Sequence, residues 1–479
     1  MDIIQNGFLC GEKLNIFVNL FFSQEENGVI YTDFSMSGND INAYTTIIFN
    51  GRPYISDYNT SCSYRDDKSI KNISECAVIK SFLRAASKIR KIELPWGAMC
   101  GIRPAKMVRE LYERGFSRKE AYEYLSEVYE ITDEKLDLAF KVADNEKEIL
   151  ENNEEDSISI YVGIPFCPTR CLYCSFVSTD IRVSGKYMGG FVDCLLKEIK
   201  KTAEIIEKTG KSVQNIYIGG GTPTTLTPEY MRVVMEYIKK YFITDKLKEF
   251  TLEAGRPDTI TFEKLQIAKK FGVNRISINP QTMNNETLKK VGRNHTPEMI
   301  RECFSDARNA GFDNINMDLI AGLPGETPEM FYKSLDEVCE LDPENITVHS
   351  MCVKRAARLK NSGINLTEFE SMKKMLSYTE KKMKETGREP YYMYRQKNMS
   401  GNLENVGYAK KGSMSFYNIN IMEEVQTIIA LGGGGSTKIV TGDKIERIFN
   451  FKDPVEYINR FDEIIEKKNQ ILKMLGGEM

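Results

Sequence analysis

Three cysteines stand in the stretch YVGIPFCPTRCLYC, at Cys167, Cys171 and Cys174, spaced C-x3-C-x2-C. Cysteine thiolates are the usual protein ligands of iron–sulfur clusters. Three on one short loop suit three corners of a [4Fe–4S] cubane and leave one iron without a protein ligand. An open iron can bind a small molecule, which separates a catalytic cluster from an electron carrier. A structural zinc site would need four Cys or His ligands, and no fourth one lies near the loop; the only histidines are His295 and His349. A disulfide framework is disfavoured by the odd count of eleven cysteines and by an N-terminus, MDIIQNGFLCGEKLN, that lacks the regions of a secretory signal.

Other residues with chemical potential follow the loop. Gly219-Gly220-Gly221-Thr222-Pro223-Thr224 is a glycine turn that lets a ligand approach the backbone closely. It matches neither the phosphate-loop pattern nor the dinucleotide fingerprint. Glu253, Gln281, Arg293 and Asp318 recur at or near successive strand ends. An acid and an amide suit a ribose diol, and an arginine suits a carboxylate. Each of the four alone reads more readily as a solvated loop residue or an ion-pair partner; their corresponding positions favour a shared site. AGLPGET (321–327) reads as a turn ending a strand. Lys354, Arg355, Arg358, Arg395 and Lys397 suit the carboxylates of an acidic substrate, or simply a solvated basic surface.

These residues need a scaffold, and the hydrophobic pattern specifies one. Strand patterns at 157–164, 215–220, 250–254, 275–279, 314–320 and 346–351 alternate with helix patterns near Tyr187–Lys208, Pro228–Tyr241, Phe262–Phe271, Pro297–Ala310 and Pro328–Leu341. Thr227, Thr261 and Thr296 stand where N-caps belong. Six βα units predict an α/β fold with a parallel sheet, an incomplete (β/α)6 barrel. Sites in such folds lie at the C-terminal strand ends, and the cysteine loop directly follows the first strand. The sequence divides into an N-terminal α+β accessory domain (1–155), the partial barrel (156–355) and a C-terminal α+β extension (356–479) on the substrate side. In the first, LNIFVNLFF and AYTTIIF read as strands, with helices after them. ENNEED (151–156) reads as a linker. The extension holds a helix near Leu366–Thr386, the run EPYYMYRQKN, the tract ALGGGGSTKI and a final helix near Pro454–Leu475.

Of 479 residues, Lys and Arg total 65 against 68 Asp and Glu, for a net charge of −3. No global basic field invites nucleic acid. No apolar run approaches the ~18–20 residues of a membrane span. A cytoplasmic location is expected.

With these motifs together, the chain resembles the radical SAM family, and within it the oxygen-independent coproporphyrinogen III oxidases of the HemZ-type branch. YVGIPFCPTRCLYCSF, IGGGTPT, SINPQTMNNETLKKVGR, MDLIAGLPGET and YYMYRQKNMSGNLENVGYA carry the resemblance, and PWGAMCGIRPAKM also looks like that branch. It implies that Cys167, Cys171 and Cys174 ligate the cluster, whose open iron chelates S-adenosylmethionine (SAM). Tyr161, given a catalytic role, would lie beside cluster and SAM. The Phe176 backbone would meet the adenine, and Gly220, Gly221 and Thr222 the SAM amino group. Glu253, Gln281, Arg293 and Asp318 fall at the family's SAM-contacting positions. The implied reaction is radical decarboxylation of two propionates of coproporphyrinogen III to protoporphyrinogen IX, with a flavodoxin or ferredoxin as electron donor. Arg355 and Arg395 would hold the remaining propionates. One departure concerns Phe176: the best-known bacterial oxidases carry a further cysteine there, and the related haem chaperones lack it. A haem-binding chaperone-like protein and a tetrapyrrole methyltransferase are therefore the alternative readings.

Overall fold

The structure is a computed structural model and describes all residues except 24, 63–65, 102, 176–177, 353–366, 396–402, 443 and 478–479. Phe176, Lys354, Arg355, Arg358 and Lys397 thus lie outside the described residues. The chain packs as two units, Met1–Lys141 with Arg395–Glu404, and Val142–Tyr394 with Asn405–Met479.

The first unit carries a four-stranded sheet of β1 (Asp2–Asn6), β2 (Gly28–Ser37), β3 (Asp40–Phe49) and β4 (Arg52–Ser61), in that order. β1 is parallel to β2 and the other pairs are antiparallel. The helix Asp67–Ser87 packs on β3 and β4. AYTTIIF lies in β3 as the pattern predicts. LNIFVNLFF does not form a strand: Glu12–Phe21 is a helix. Its buried residues, Leu14, Phe17, Val18 and Phe21, fall on one helical face, and that spacing outweighs its aromatic, strand-like composition. Ser117 caps the helix Arg118–Tyr129 with a reciprocal bond to Glu120.

The second unit is built on an eleven-stranded sheet. All six predicted strands form: β5 (Ser157–Ile164), then, beyond the paired two-residue strands β6 (Phe166–Cys167) and β7 (Thr179–Asp180), β8 (Ser212–Gly220), β9 (Glu249–Glu253), β10 (Arg275–Ser277), β11 (Ile315–Ala321) and β12 (Asn345–Ser350). Each of the six is parallel to the next. The predicted N-caps Thr227, Thr261 and Thr296 all accept from the N–H of the third residue of their helices, as does Thr327.

Along β5, Ile158, Ile160, Val162 and Ile164 are fully buried on one face. The opposite face carries Ser159, Tyr161 and Gly163. Polar side chains meet on that face: Asn215 Nδ2 donates to Ser159 Oγ at 3.2 Å, and Ser159 Oγ donates to Gln426 Oε1 at 2.5 Å.

The C-terminal strands are β13 (Glu389–Arg395), β14 (Glu404–Ala409), β15 (Thr427–Gly432), β16 (Ser436–Thr441) and β17 (Lys444–Phe449). They join the barrel's own sheet at both edges. β14 pairs antiparallel with β12, and β15 pairs parallel with β5. ENNEED lies close to this packing rather than standing apart as a tether. Ile149, just before it, packs with Tyr391 and Tyr392, and Asn153 Nδ2 donates to Asn420 Oδ1 at 2.6 Å. The final helix breaks at Arg460 into Pro454–Asn459 and Phe461–Met474.

Candidate active site at the C-terminal strand ends

β5 ends at Ile164, and Pro165 turns the chain into the cysteine loop. β6 and β7 bracket that loop, and Cys167 lies on β6. Cys171 is buried, while Cys167 and Cys174 are half-buried. The loop is tied to the segment after the helix Asn285–Lys290: Leu172 N donates to Val291 O at 2.9 Å and Thr169 Oγ1 to Gly292 O at 3.0 Å. Leu172 and Tyr173 pack on Val291, Ile320, Leu323 and Met351.

The glycine turn after β8 stacks directly on the chain leaving β5. Gly221 N donates to Ile164 O and Thr222 N to Phe166 O, both at 2.8 Å. Gly220 has φ +108°, a conformation that L side chains rarely adopt. A Cβ on Gly221 would stand 2.6 Å from Phe166 O. Thr222 Oγ1 lies 3.4 Å from Cys167 Sγ, so the turn and the loop are in contact.

Of the four polar residues expected at strand ends only Glu253 ends its strand; Gln281 lies four residues past β10, Arg293 follows the helix Asn285–Lys290, and Asp318 stands in the middle of β11. Glu253 ends β9 against Gly219, whose missing Cβ would stand 2.7 Å from Glu253 Oε2. Burial and the charge of Asp318 push the Glu253 carboxyl up to about 8. Asp318 stays low instead: burial raises it, but His349 Nε2 at 3.7 Å and Asn316 Nδ2 at 2.7 Å outweigh that. Gln281 has φ +67° and its N–H donates to Asp318 O at 2.8 Å. Tyr161 is stacked on Tyr217 at 6.2 Å, and Tyr217 on Tyr417 at 4.7 Å. Burial holds the Tyr161 hydroxyl well above the usual phenol range, so it keeps its proton at neutral pH.

Arg293 is buried and its donors are largely committed. Nη2 donates to Gly255 O at 2.7 Å and Asn279 O at 2.8 Å, and Nη1 to Tyr173 OH at 3.1 Å. Arg395 likewise points its Nη1 at Met99 O and Gly101 O, 3.0 and 3.2 Å away, within its own unit.

Sequence reasoning passed over Arg256, which is 4% exposed and donates through Nη1 to Cys171 Sγ at 3.5 Å. Its only local mark is its place three residues past the end of β9 and two before an aspartate, which says nothing of Cys171. His349 joins the network at Asp318: its Nδ1 lies 3.3 Å from Tyr394 OH while its other nitrogen faces Asp318. His295 is buried, and burial with the charges of Arg293 and Arg256 pushes it down to about 3.

The donor set fits an iron–sulfur cluster. All three loop thiols are free of disulfides. They share the mouth with a glycine cradle that side chains would fill, and a buried guanidinium offsets thiolate charge. Among the described residues no three His, Cys, Asp or Glu side chains gather as they would around a single ion. A cubane spreads its ligands over separate irons, so that geometry is not expected of this loop.

Residues 161–338 match the model of the Radical SAM superfamily. The oxygen-independent coproporphyrinogen-III oxidase-like protein HemZ of Bacillus subtilis is 43% identical over 387 residues, covering 79% of this chain and 77% of that protein. The chain belongs to the radical SAM superfamily, among its HemZ-like proteins. The superfamily uses a [4Fe–4S] cluster and SAM. A second relative, the heme chaperone HemW of Bacillus subtilis, is 37% identical over 198 residues, 41% of this chain and 51% of HemW. The solved structure of coproporphyrinogen III oxidase (HemN) from Escherichia coli shares the fold, with a TM-score of 0.54 and 24% identity over 67% of this chain and 73% of HemN. Among the described residues no helix is long and apolar enough to cross a membrane.

Proposed function

We propose that this radical SAM protein oxidatively decarboxylates two propionate side chains of coproporphyrinogen III, giving protoporphyrinogen IX. The observation that carries the reading is the 43% identity with an oxidase-like protein along 79% of the chain. When bound, the cluster and SAM supply the one-electron chemistry that removes an unactivated hydrogen.

The chain's own residues bind and orient. Cys167, Cys171 and Cys174 hold the cluster, and Tyr161 flanks it. Gly220, Gly221 and Thr222 present backbone to the SAM amino group. Glu253, Gln281 and Asp318 face the rest of SAM from the end of β9, the segment after β10 and the middle of β11. Arg293 has one Nη1 hydrogen beyond the one on Tyr173, and that donor suits a ligand carboxylate. Electrons come from a flavodoxin or ferredoxin, in the cytoplasm.

The test is an anaerobic assay of reconstituted protein with reductant, SAM and coproporphyrinogen III. Protoporphyrinogen IX is the expected product; SAM cleavage with no vinyl product contradicts the proposal, and a gained methyl group would indicate a methyltransferase.

The 37% identity with a heme chaperone supports a second reading, haem binding on the same scaffold. His349, half-buried, is the histidine suited to an axial role, because His295 is closed in. Unchanged haem affinity in His349→Ala would remove that basis.

A further inference from the structure

Arg256 has a place in the fold that none of the similarities above assigns. It stands three residues past the end of β9, between Gly255 and Pro257, and its backbone is extended, as a residue before proline prefers. The single 3-10 turn Pro257–Thr259 folds Asp258 back beneath it. Nε donates to Asp258 Oδ1 at 2.9 Å and Nη2 to Oδ2 at 2.8 Å, a two-pronged pair that fixes the guanidinium plane. So held, Nη1 donates to Thr169 Oγ1 at 3.1 Å and to Cys171 Sγ at 3.5 Å. One buried cation thus grips the cysteine loop at two points and aims a charge-assisted hydrogen bond at one sulfur.

We infer that Arg256 is a positioning residue that sets the reduction potential of the cluster held by this loop. The inference rests on Cys171 being a cluster ligand. Hydrogen bonds to ligand sulfur and local charge are the protein's main controls over such potentials. The cluster gains one electron from the reductant, and with it one negative charge. A fixed cation at a ligand sulfur stabilises the reduced form more than the oxidised form and raises the midpoint potential. Water screens this charge little, because Arg256 is buried. Asp258 opposes it: its carboxylate orients the guanidinium but also cancels part of its field.

This makes the two partners' substitutions act in opposite directions. In full-length protein reconstituted anaerobically, the midpoint of the cluster is followed by EPR-monitored redox titration without SAM. Arg256→Met should lower the ratio of reduced to oxidised cluster at a fixed potential about tenfold, a shift of about 59 mV for one electron. Arg256→Lys keeps the charge without the fork and should fall between the two. Asp258→Asn should shift the midpoint upward. If Arg256→Met assembles no cluster, the Lys and Asn variants still decide the matter by lying on opposite sides of wild type. A wild-type midpoint in the variants, or Met and Asn shifts of the same sign, overturns the inference. Cys171→Ala separates the two claims: full cluster retention there would refute the ligand assignment, whatever Arg256 does.

Discussion

Gly432 lies backbone-to-backbone against Gly163. A Cβ on Gly432 would collide with the Gly163 carbonyl, and the next N–H, of Gly433, donates to that same oxygen at 3.0 Å. The four-glycine tract is therefore part of the barrel mouth, at the end of the strand that leads to the cysteine loop. Gly432 also has φ +78°. Gly432→Ala should cost about 1–3 kcal/mol from backbone strain alone, with the collision adding to it, measured by urea denaturation.

The same turn is anchored from below. Glu198 accepts from Gly432 N at 2.8 Å and Asn450 Nδ2 at 2.7 Å, and pairs with Lys468 at 3.0 Å; both charged residues are buried. Removing one partner leaves an uncompensated charge. Lys468→Met should destabilise by ~3–5 kcal/mol, seen as a lower midpoint in chemical denaturation. A loss below ~1 kcal/mol would contradict this role for the pair.

Glu253 should leave a mark on the pH dependence of stability. Its carboxyl, raised to about 8, binds its proton more tightly folded than unfolded. That contribution is complete below the unfolded value of about 4.3 and is lost as pH rises through about 8, at up to ~1.4 kcal/mol per pH unit. SAM-free protein should thus lose stability between pH 5 and pH 8, and Glu253→Gln should flatten the slope. Equal slopes in variant and wild type would place Glu253 as an ordinary ionised carboxylate.

At the glycine turn, Gly221→Ala places a methyl 2.6 Å from Phe166 O and 3.0 Å from Ile164 O. Neither backbone oxygen can swing aside, so the turn must shift. SAM affinity should fall at least about tenfold, or ~1.4 kcal/mol, by equilibrium dialysis against the reconstituted protein. Unchanged affinity would remove the turn from the SAM site.

The barrel was legible because each strand and helix carries its own period and cap: Thr227, Thr261 and Thr296 mark helix starts without any tertiary information. Glu12–Phe21 was misread because its aromatic and branched residues mimic a strand when composition is weighed before spacing. The seat of β15 beside β5 joins segments more than two hundred and fifty residues apart, and no local pattern encodes such a pairing. The cysteines and the glycine turn were readable as chemistry. Arg256 was not, since its aim at Cys171 depends on how two loops from different strands fold over each other. The commitments of Arg293 to Gly255 and Asn279 were hidden for the same reason.

The most direct test of a three-cysteine cluster with an iron open to SAM is the EPR spectrum of the reduced protein with and without SAM. About one [4Fe–4S] cluster per chain is expected, with a signal that changes when SAM is added, and loss of the cluster in Cys167→Ala, Cys171→Ala or Cys174→Ala. A full cluster whose signal ignores SAM, or one that survives these substitutions, would contradict the account.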